Sequence, residues 1–336
     1  MGVKIFELVP SKNIELSELS GKTIAIDAPM FLYQFLTSIR KPDGSPLTDS
    51  KGRITSHLVG LFSRAAKFVQ LGIKTVFVFD GKPHSLKAAE IAKRAEAKAE
   101  AMLKFEFARA KGHIEEMAKF APRTTRLSHE MIDEAKKLLN ALGIPVVDGL
   151  SEGEAQASFM VKRQDAWAVA SQDADCLVFG APRLIRNLAA SPHKGRDQPQ
   201  IVLLKELLDT LGIDLPQLIA LAMLVGTDYN PGGIKGIGPK KALQLVKKFG
   251  HDFVGLFDSV RWSDFFNFDW KKVFELFESP EVNTDYNLSW ASLDRKAVLK
   301  LLVDEHDFSQ ERVLSVLDEL EVAQAKMAQR KLKDFG

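Results

Sequence analysis

TIAID at residues 23–27 and TVFVFD at residues 75–80 decide the fold. Each is a short run of β-branched and aromatic residues, too brief for a helix, and each ends in an aspartate. Residues 144–148 (IPVVD), 167–171 (WAVAS), 184–188 and 201–204 are further strand candidates. Between them lie segments of helical period at 29–39, 55–70, 128–142 and 153–163. Strands alternating with helices imply βαβ units and an α/β fold whose central sheet is mostly parallel and flanked by helices. Ligands of such sheets bind in the crevice beyond the carboxyl ends of the strands.

Two stretches break the alternation. Residues 82–123 show no strand pattern, are rich in Ala, Lys, Arg and Glu, and are interrupted by Gly112, so they read as a helical insertion. Beyond residue 214 the pattern is helical, with Gly/Pro turns between the helices. At 336 residues, with 46% hydrophobic and 27% charged residues, the chain suits an ordinary globular protein and not a disordered one. A single cysteine, Cys176, excludes an intrachain disulfide and a Cys-based zinc site, and fits a reducing compartment. The first residues lack the apolar core of a signal peptide, and Phe6 stands where a myristoylation signal needs Ser or Thr. The longest apolar run, 215–226, is broken by Pro216 and Gln217. A soluble, intracellular protein with no membrane contact is expected.

The placement of acids carries the chemistry. Asp27 and Asp80 close strands, Asp173 and Asp175 follow another, Glu152 and Glu154 open a helix, and Asp228 ends an apolar one. A parallel sheet would bring all seven to one rim. Each acid alone has an ordinary reading. Asp27 and Asp173 could cap helices, Asp80-Gly81 and Asp228-Tyr-Asn-Pro suit turns, and Ser151-Glu-Gly-Glu154 fits a capping box. Those readings do not explain the coincidence of seven. Carboxylates so concentrated repel one another unless cations neutralise them, and hard divalent ions, Mg²⁺ above all, are the natural partners. Two such ions can serve both sides of a phosphodiester. The seven histidines, at 57, 84, 113, 129, 193, 251 and 306, show no metal-ligand spacing.

Residues 233–241 (GIKGIGPKK) fail as a Walker A loop, because Pro239 follows Gly238 where Lys is required. What remains is a tight glycine turn, Pro239 at a helix start, and Lys240 and Lys241 beside it. This suits a backbone phosphate, or else an ordinary helix connection with solvated lysines. In the 82–123 insertion, Lys87 and Arg94 share a helix face, but Glu90 shares it too, which favours a surface ion-pair row.

Taken together, IAIDA at Asp27, VFVFDGKP at Asp80, EGEAQA at Glu154, SQDADCLVFG at Asp173 and GTDYNPGGIKGIGPKKAL at Asp228 resemble the flap endonucleases of the structure-specific 5′-nuclease superfamily, in their archaeal form. Five linked motifs in the family order are a specific match, and it runs the length of the chain. The resemblance implies a Mg²⁺-dependent enzyme with two ions per site, Mn²⁺ as a substitute. It would cut 5′ flaps from branched DNA, with 5′-3′ exonuclease activity, in Okazaki-fragment maturation and base-excision repair. It implies that Asp27, Asp80, Glu152, Glu154, Asp173, Asp175 and Asp228 hold the metals. It also implies that Lys87 and Arg94 form the basic pair at the foot of a helical arch and grip the scissile phosphate, against the ion-pair reading above. It divides the single body into an N-terminal nuclease region (1–81), the arch (82–130), an internal nuclease region (131–228), a helical DNA-binding region with a helix-two-turn-helix element (229–320) and a tail (321–336).

The same matching implies that Gly2 lies near the DNA, that Tyr33 stacks on a base, and that Arg40, Thr55 and Ser56 contact the opposite strand and a 3′ flap. The turn holding Gly236, Gly238, Lys240 and Lys241 would bind the downstream duplex through K⁺. A sliding clamp of the PCNA type is the implied protein partner. The tail offers Gln329, Leu332 and Phe335, but Gly336 stands where the motif has a second aromatic, so a weakened clamp contact is expected. A monomer in the cytoplasm, associated with the nucleoid, is the accompanying expectation. The rivals are a haloacid-dehalogenase-like phosphatase, which explains only Asp173 and Asp175 and wants Thr or Val at Leu177, and a non-catalytic DNA-binding scaffold. The formal charge of +2 conceals the expected DNA partner: 44 acids less those seven leaves 37 against 46 Lys and Arg.

Overall fold

A computed structural model describes residue 3 and residues 5–189 and 198–334. Seven strands form one sheet: β1 (Lys12–Asn13), β2 (Thr23–Asp27), β3 (Lys74–Phe79), β4 (Val146–Asp148), β5 (Ala168–Ala170), β6 (Arg183–Arg186) and β7 (Gln200–Leu203). Their order is β1-β7-β6-β5-β2-β3-β4. The four pairings within β2–β6 are parallel, as the alternation of strands and helices predicts. β7 runs antiparallel to β6, and β1, too short to leave a sequence pattern, pairs antiparallel with β7. The strand order reverses between β2 and β5, which lie side by side at the centre. That reversal is where a parallel sheet opens its crevice.

The helices are α1 (Ala28–Ser38), α2 (Ser56–Gln70), α3 (Ala88–Ala110), α4 (Ile114–Phe120), α5 (His129–Ala141), α6 (Gly153–Lys162), α7 (Asp175–Val178), α8 (Leu204–Leu211), α9 (Leu215–Val225), α10 (Pro239–Phe249), α11 (Phe253–Ser259), α12 (Trp270–Glu278), α13 (Arg295–Leu299) and α14 (Gln310–Asp334). The sheet separates two cores. One face packs Phe31, Phe35, Phe62, Phe68 and Phe77 beneath α1, α2 and α5, with α14 outside them. The other packs β-strand valines against α6, α7 and α9, and continues into the aromatic cluster of Phe257, Trp262, Phe274 and Phe277. α9 is buried nearly throughout, which explains its apolar sequence; among the described residues no single helix is long and apolar enough to cross a membrane.

α3 and α4 occupy the stretch without strand signals, and the chain turns between them at Gly112, whose φ of +69° favours glycine. Their sequence is polar on most sides, and Leu103 and Phe107 stand exposed. α3 packs on α4, and Lys87 at its foot reaches Glu152 beside the carboxyl ends of the strands.

Candidate active site

All seven acids lie at or just beyond the carboxyl ends of β2, β3 and β5 and the facing ends of α6 and α9. Asp27 does two things at once. Its Oδ1 accepts from the Met30 amide (3.1 Å), capping α1, while Oδ2 accepts from the Ser171 hydroxyl (2.9 Å). Asp80 follows β3 directly, and its Oδ1 accepts from the Gly153 amide (2.7 Å) at the start of α6, a helix end rich in unsatisfied donors. A Cβ at residue 153 would stand 2.8 Å from that oxygen, so a larger residue there would push the Asp80 carboxylate aside. The capping box read from Ser151 to Glu154 does not form: Glu152 is the N-cap, and no side chain caps the helix. Beyond β5, Asp173 Oδ1 accepts from the Asp175 amide (3.2 Å), and Asp175 Oδ1 accepts from the amide of Val3 (2.8 Å), 172 residues away in sequence.

Carboxylate oxygens of Glu154, Asp173 and Asp175 lie within 4.8 Å of one another. Burial first, then the charge of Asp80, pushes the Asp27 carboxyl up to about 7. Burial also holds Glu154 and Asp175 well above the usual carboxylate range, with Asp173 the next cause for each. Oxygen donors crowded this closely, whose ionisation burial and mutual repulsion disfavour, fit a hard divalent ion. The donor set suits magnesium or manganese and offers no sulfur or imidazole for softer metals.

The other side of the pocket is neutralised from within. The Lys87 ammonium binds Glu152 and lies 3.4 Å from Asp228 Oδ2. Arg94 Nη2 donates to both oxygens of Asp228 (2.8 and 2.7 Å), and its Nε donates to Glu90 (2.9 Å). Arg94 thus belongs to an i,i+4 pair on α3 and also reaches Asp228 in the pocket. Burial works to lower the pKa of Lys87, but Glu152 and Asp228 outweigh it and raise it, so the ammonium stays charged. For Glu152, burial outweighs the attraction of Lys87, and its carboxyl is raised.

The remaining expected residues are placed differently. Tyr33 on α1 faces α3, with the Lys98 ammonium 5.7 Å from its ring centre. Arg40 is spent on the chain itself, donating to the carbonyls of Leu36 (3.0 Å) and Gly44 (2.7 Å) and to Thr125 Oγ1. Thr55 and Ser56 are buried, and Ser56 Oγ donates to Ile39 O (2.8 Å) while accepting from Leu47 N (2.9 Å). Tyr33 and Arg40, by contrast, are half-buried. Arg40 and Ser56 fix the base of the 40–54 loop, whose Arg40↔Pro46 and Thr48↔Ile54 bridges the sequence pattern did not show. The glycine turn is as tight as its sequence suggests. Gly233, at φ +56°, presses on the Val225 backbone so closely that a Cβ would approach within 2.4 Å. Gly236 has φ +82° with open space around it, Gly238 is the N-cap of α10, and Lys240 and Lys241 are exposed beside it. Gly2 and Phe335 lie outside the described residues. Gln329 and Leu332 fall within α14, where only the backbone is described.

A Flap endonuclease 1 from Pyrococcus abyssi is 51% identical to this chain over 331 residues, covering 96% of the chain and 95% of that relative. The chain belongs to the flap endonuclease family. Family membership makes it a DNA nuclease, a hydrolase acting on ester bonds, and implies use of a divalent metal. A Hyperthermus butylicus Flap endonuclease 1 is 50% identical over 334 residues, with 96% and 95% coverage. The XPG N-terminal domain matches residues 1–101 and the XPG I-region matches 143–228, and these two stretches contain all seven acids together with Lys87 and Arg94. The solved structure of flap endonuclease-1 from Methanococcus jannaschii superposes with a TM-score of 0.78 at 42% identity, covering 97% of this chain and 99% of that one. The catalytic core of Rad2 in complex with DNA substrate shares the fold, with a TM-score of 0.71 at 24% identity and coverage of 95% and 100%.

Within this flap endonuclease fold, several positions that sequence reasoning passed over hold the acids in place. Ser171 sits between Asp27 and Glu154. Asn230, wholly buried, accepts from Thr227 N (3.2 Å) and Oγ1 (2.6 Å) and donates to Met223 O (2.7 Å), which locks the turn presenting Asp228. Asp228-Tyr-Asn-Pro marked a turn in the sequence, but not that Asn230 would be the buried residue locking it. Nothing in the sequence pointed to Val3.

Proposed function

We propose that this protein is a structure-specific 5′-flap endonuclease, with 5′-3′ exonuclease activity, that trims branched DNA in Okazaki-fragment maturation and base-excision repair. The observation that carries the reading is the meeting of seven carboxylates from five elements with Lys87 and Arg94 at the foot of α3. A pocket with that much negative charge repels a phosphodiester unless cations line it. Asp27, Asp80, Glu152, Glu154, Asp173, Asp175 and Asp228 would hold two Mg²⁺ ions, or Mn²⁺ in their place. Ions bound there supply Lewis-acid polarisation of the phosphate and offset charge developing on the attacking and leaving oxygens.

The protein's own contribution is positioning and charge. Lys87 and Arg94, which already pair with acids of the pocket, turn from Glu152 and Asp228 toward a phosphate oxygen as DNA arrives, each as a charge-assisted donor. The α10 start, with free amides and Lys240 and Lys241, receives a phosphate of the downstream duplex, with K⁺ on the turn carbonyls. Selection then rests on backbone contacts and on the shape of a bent junction. A PCNA-type clamp contacts Gln329, Leu332 and Phe335, weakly for want of a second aromatic.

A 5′-labelled flap substrate tests the reading. Mg²⁺-dependent incision near the junction, abolished by Asp173→Asn, is expected, and undiminished cutting by that variant would refute it. Fluorescence titration of the tail peptide against the cognate clamp tests the partner, and no binding at tens of micromolar rules it out.

A further inference from the structure

Ser171 follows β5 directly and is 2% exposed, at the point where β2, β5 and α6 converge. Its hydroxyl oxygen lies 2.9 Å from Asp27 Oδ2 and 3.1 Å from Glu154 Oε1, and it accepts from the Asp173 amide at 3.1 Å. Two carboxylates and the backbone amide of a third acid, delivered by three different stretches of chain, therefore meet at one oxygen. A hydroxyl carries a single hydrogen, so it donates to Asp27 or to Glu154, never to both. The two acids are not equivalent in this competition. Asp27 has its other oxygen fixed by the Met30 amide, and a Ser171 bond completes its restraint at both oxygens. Glu154 belongs to the group of three whose oxygens lie within 4.8 Å of one another.

From this geometry we infer that Ser171 is a positioning residue for the divalent-cation pocket. Its hydroxyl donates to Asp27 and holds that carboxylate in place, and so leaves Glu154 Oε1 to turn toward an ion shared with Asp173 and Asp175. The same oxygen, by accepting from the Asp173 amide, sets where the β5 chain end presents both aspartates. Groups that orient metal-binding carboxylates in this way typically change metal affinity by about 10- to 100-fold when removed. The inference rests on the proposal that the acids hold divalent ions, but it concerns binding and not cleavage.

The test uses the full chain without DNA, with Mn²⁺ as the probe and free Mn²⁺ followed by electron paramagnetic resonance. Ser171→Ala is expected to weaken Mn²⁺ binding about tenfold or more while circular dichroism shows the fold retained. Ser171→Thr keeps the hydroxyl and should restore affinity to within about threefold of the parent, whereas Ser171→Cys, a weak donor of similar size, should behave like Ala. Unchanged or tighter binding by Ser171→Ala would overturn the inference, as would loss of folding in that variant, because the hydroxyl would then serve the fold and not the pocket. A parent chain that shows this Ser171 dependence but leaves the labelled flap uncut would sink the flap reading alone.

Discussion

Raising the pH with divalent ions chelated should destabilise this protein, and Asp27 sets the size of the effect. Its carboxyl ionises near 7 in the folded chain against 3.8 in the open one. Between those values the unfolded chain has released a proton that the folded chain still holds, so stability falls as pH rises. The contribution is complete below 3.8 and gone above about 7. At about 1.4 kcal/mol per pH unit, a window of about three units amounts to roughly 4 kcal/mol for Asp27. Glu154 and Asp175 act in the same direction. Glu134 and Asp49, held below their usual range among buried partners, act oppositely at acid pH, so the parent's curve is a sum and only a difference isolates the pocket. The assay is urea denaturation at several pH values from about 5 to 8, for parent and Asp27→Asn, each with chelator and with Mg²⁺. Asparagine keeps the cap on Met30 and removes the titration. In chelator the variant should gain on the parent by a few kcal/mol as pH rises, and Mg²⁺ should close that gap in the parent's favour. Parallel curves for parent and Asp27→Asn in chelator would refute the reasoning.

Lys87→Met should cost about 2 kcal/mol in chelator, because Glu152 and Asp228 lose a largely buried counter-charge; single-turnover cleavage should fall by about two orders of magnitude. Asn230→Ala leaves the Thr227 amide and the Met223 carbonyl without their bonds inside the core, and denaturant titration should show a loss of about 2 to 4 kcal/mol. Gly233→Ala and Gly236→Ala both place a side chain at positive φ, but only the first also drives a Cβ into backbone. Thermal melting should show Gly236→Ala down by about 1 kcal/mol and Gly233→Ala by several times that, and equal losses would contradict the turn geometry.

What was legible in the sequence was what local chemistry dictates. TIAID and TVFVFD are strands because their residues favour a pleated, buried surface, and the acid at each end marks the rim that a parallel sheet must share. The direction of β7 was not legible, since an antiparallel return leaves no mark of its own in the strand, and two-residue β1 leaves none at all. The acids could be named as a set but not divided. Only the fold shows that Glu154, Asp173 and Asp175 crowd together while Glu152 and Asp228 are engaged by Lys87 and Arg94. That polar atoms of Ser56 and Arg40 close the 40–54 loop was not legible, because nothing local announces those bonds. Ser171 drew no notice because its position matters only once β2 and β5 stand side by side.

The bond from the Val3 amide to Asp175 also bears on how the protein is made. Val3 is synthesised 172 positions ahead of its partner, and the β7 residues that seat β1 come later still. At about 5–20 residues per second, the interval from the earliest of these residues to Asp228 is on the order of ten to forty seconds of synthesis. Throughout it the pocket lacks at least one wall, so a half-made chain has no assembled means of cutting DNA. The enzyme becomes dangerous to a chromosome only once synthesis has passed the stretch that completes it.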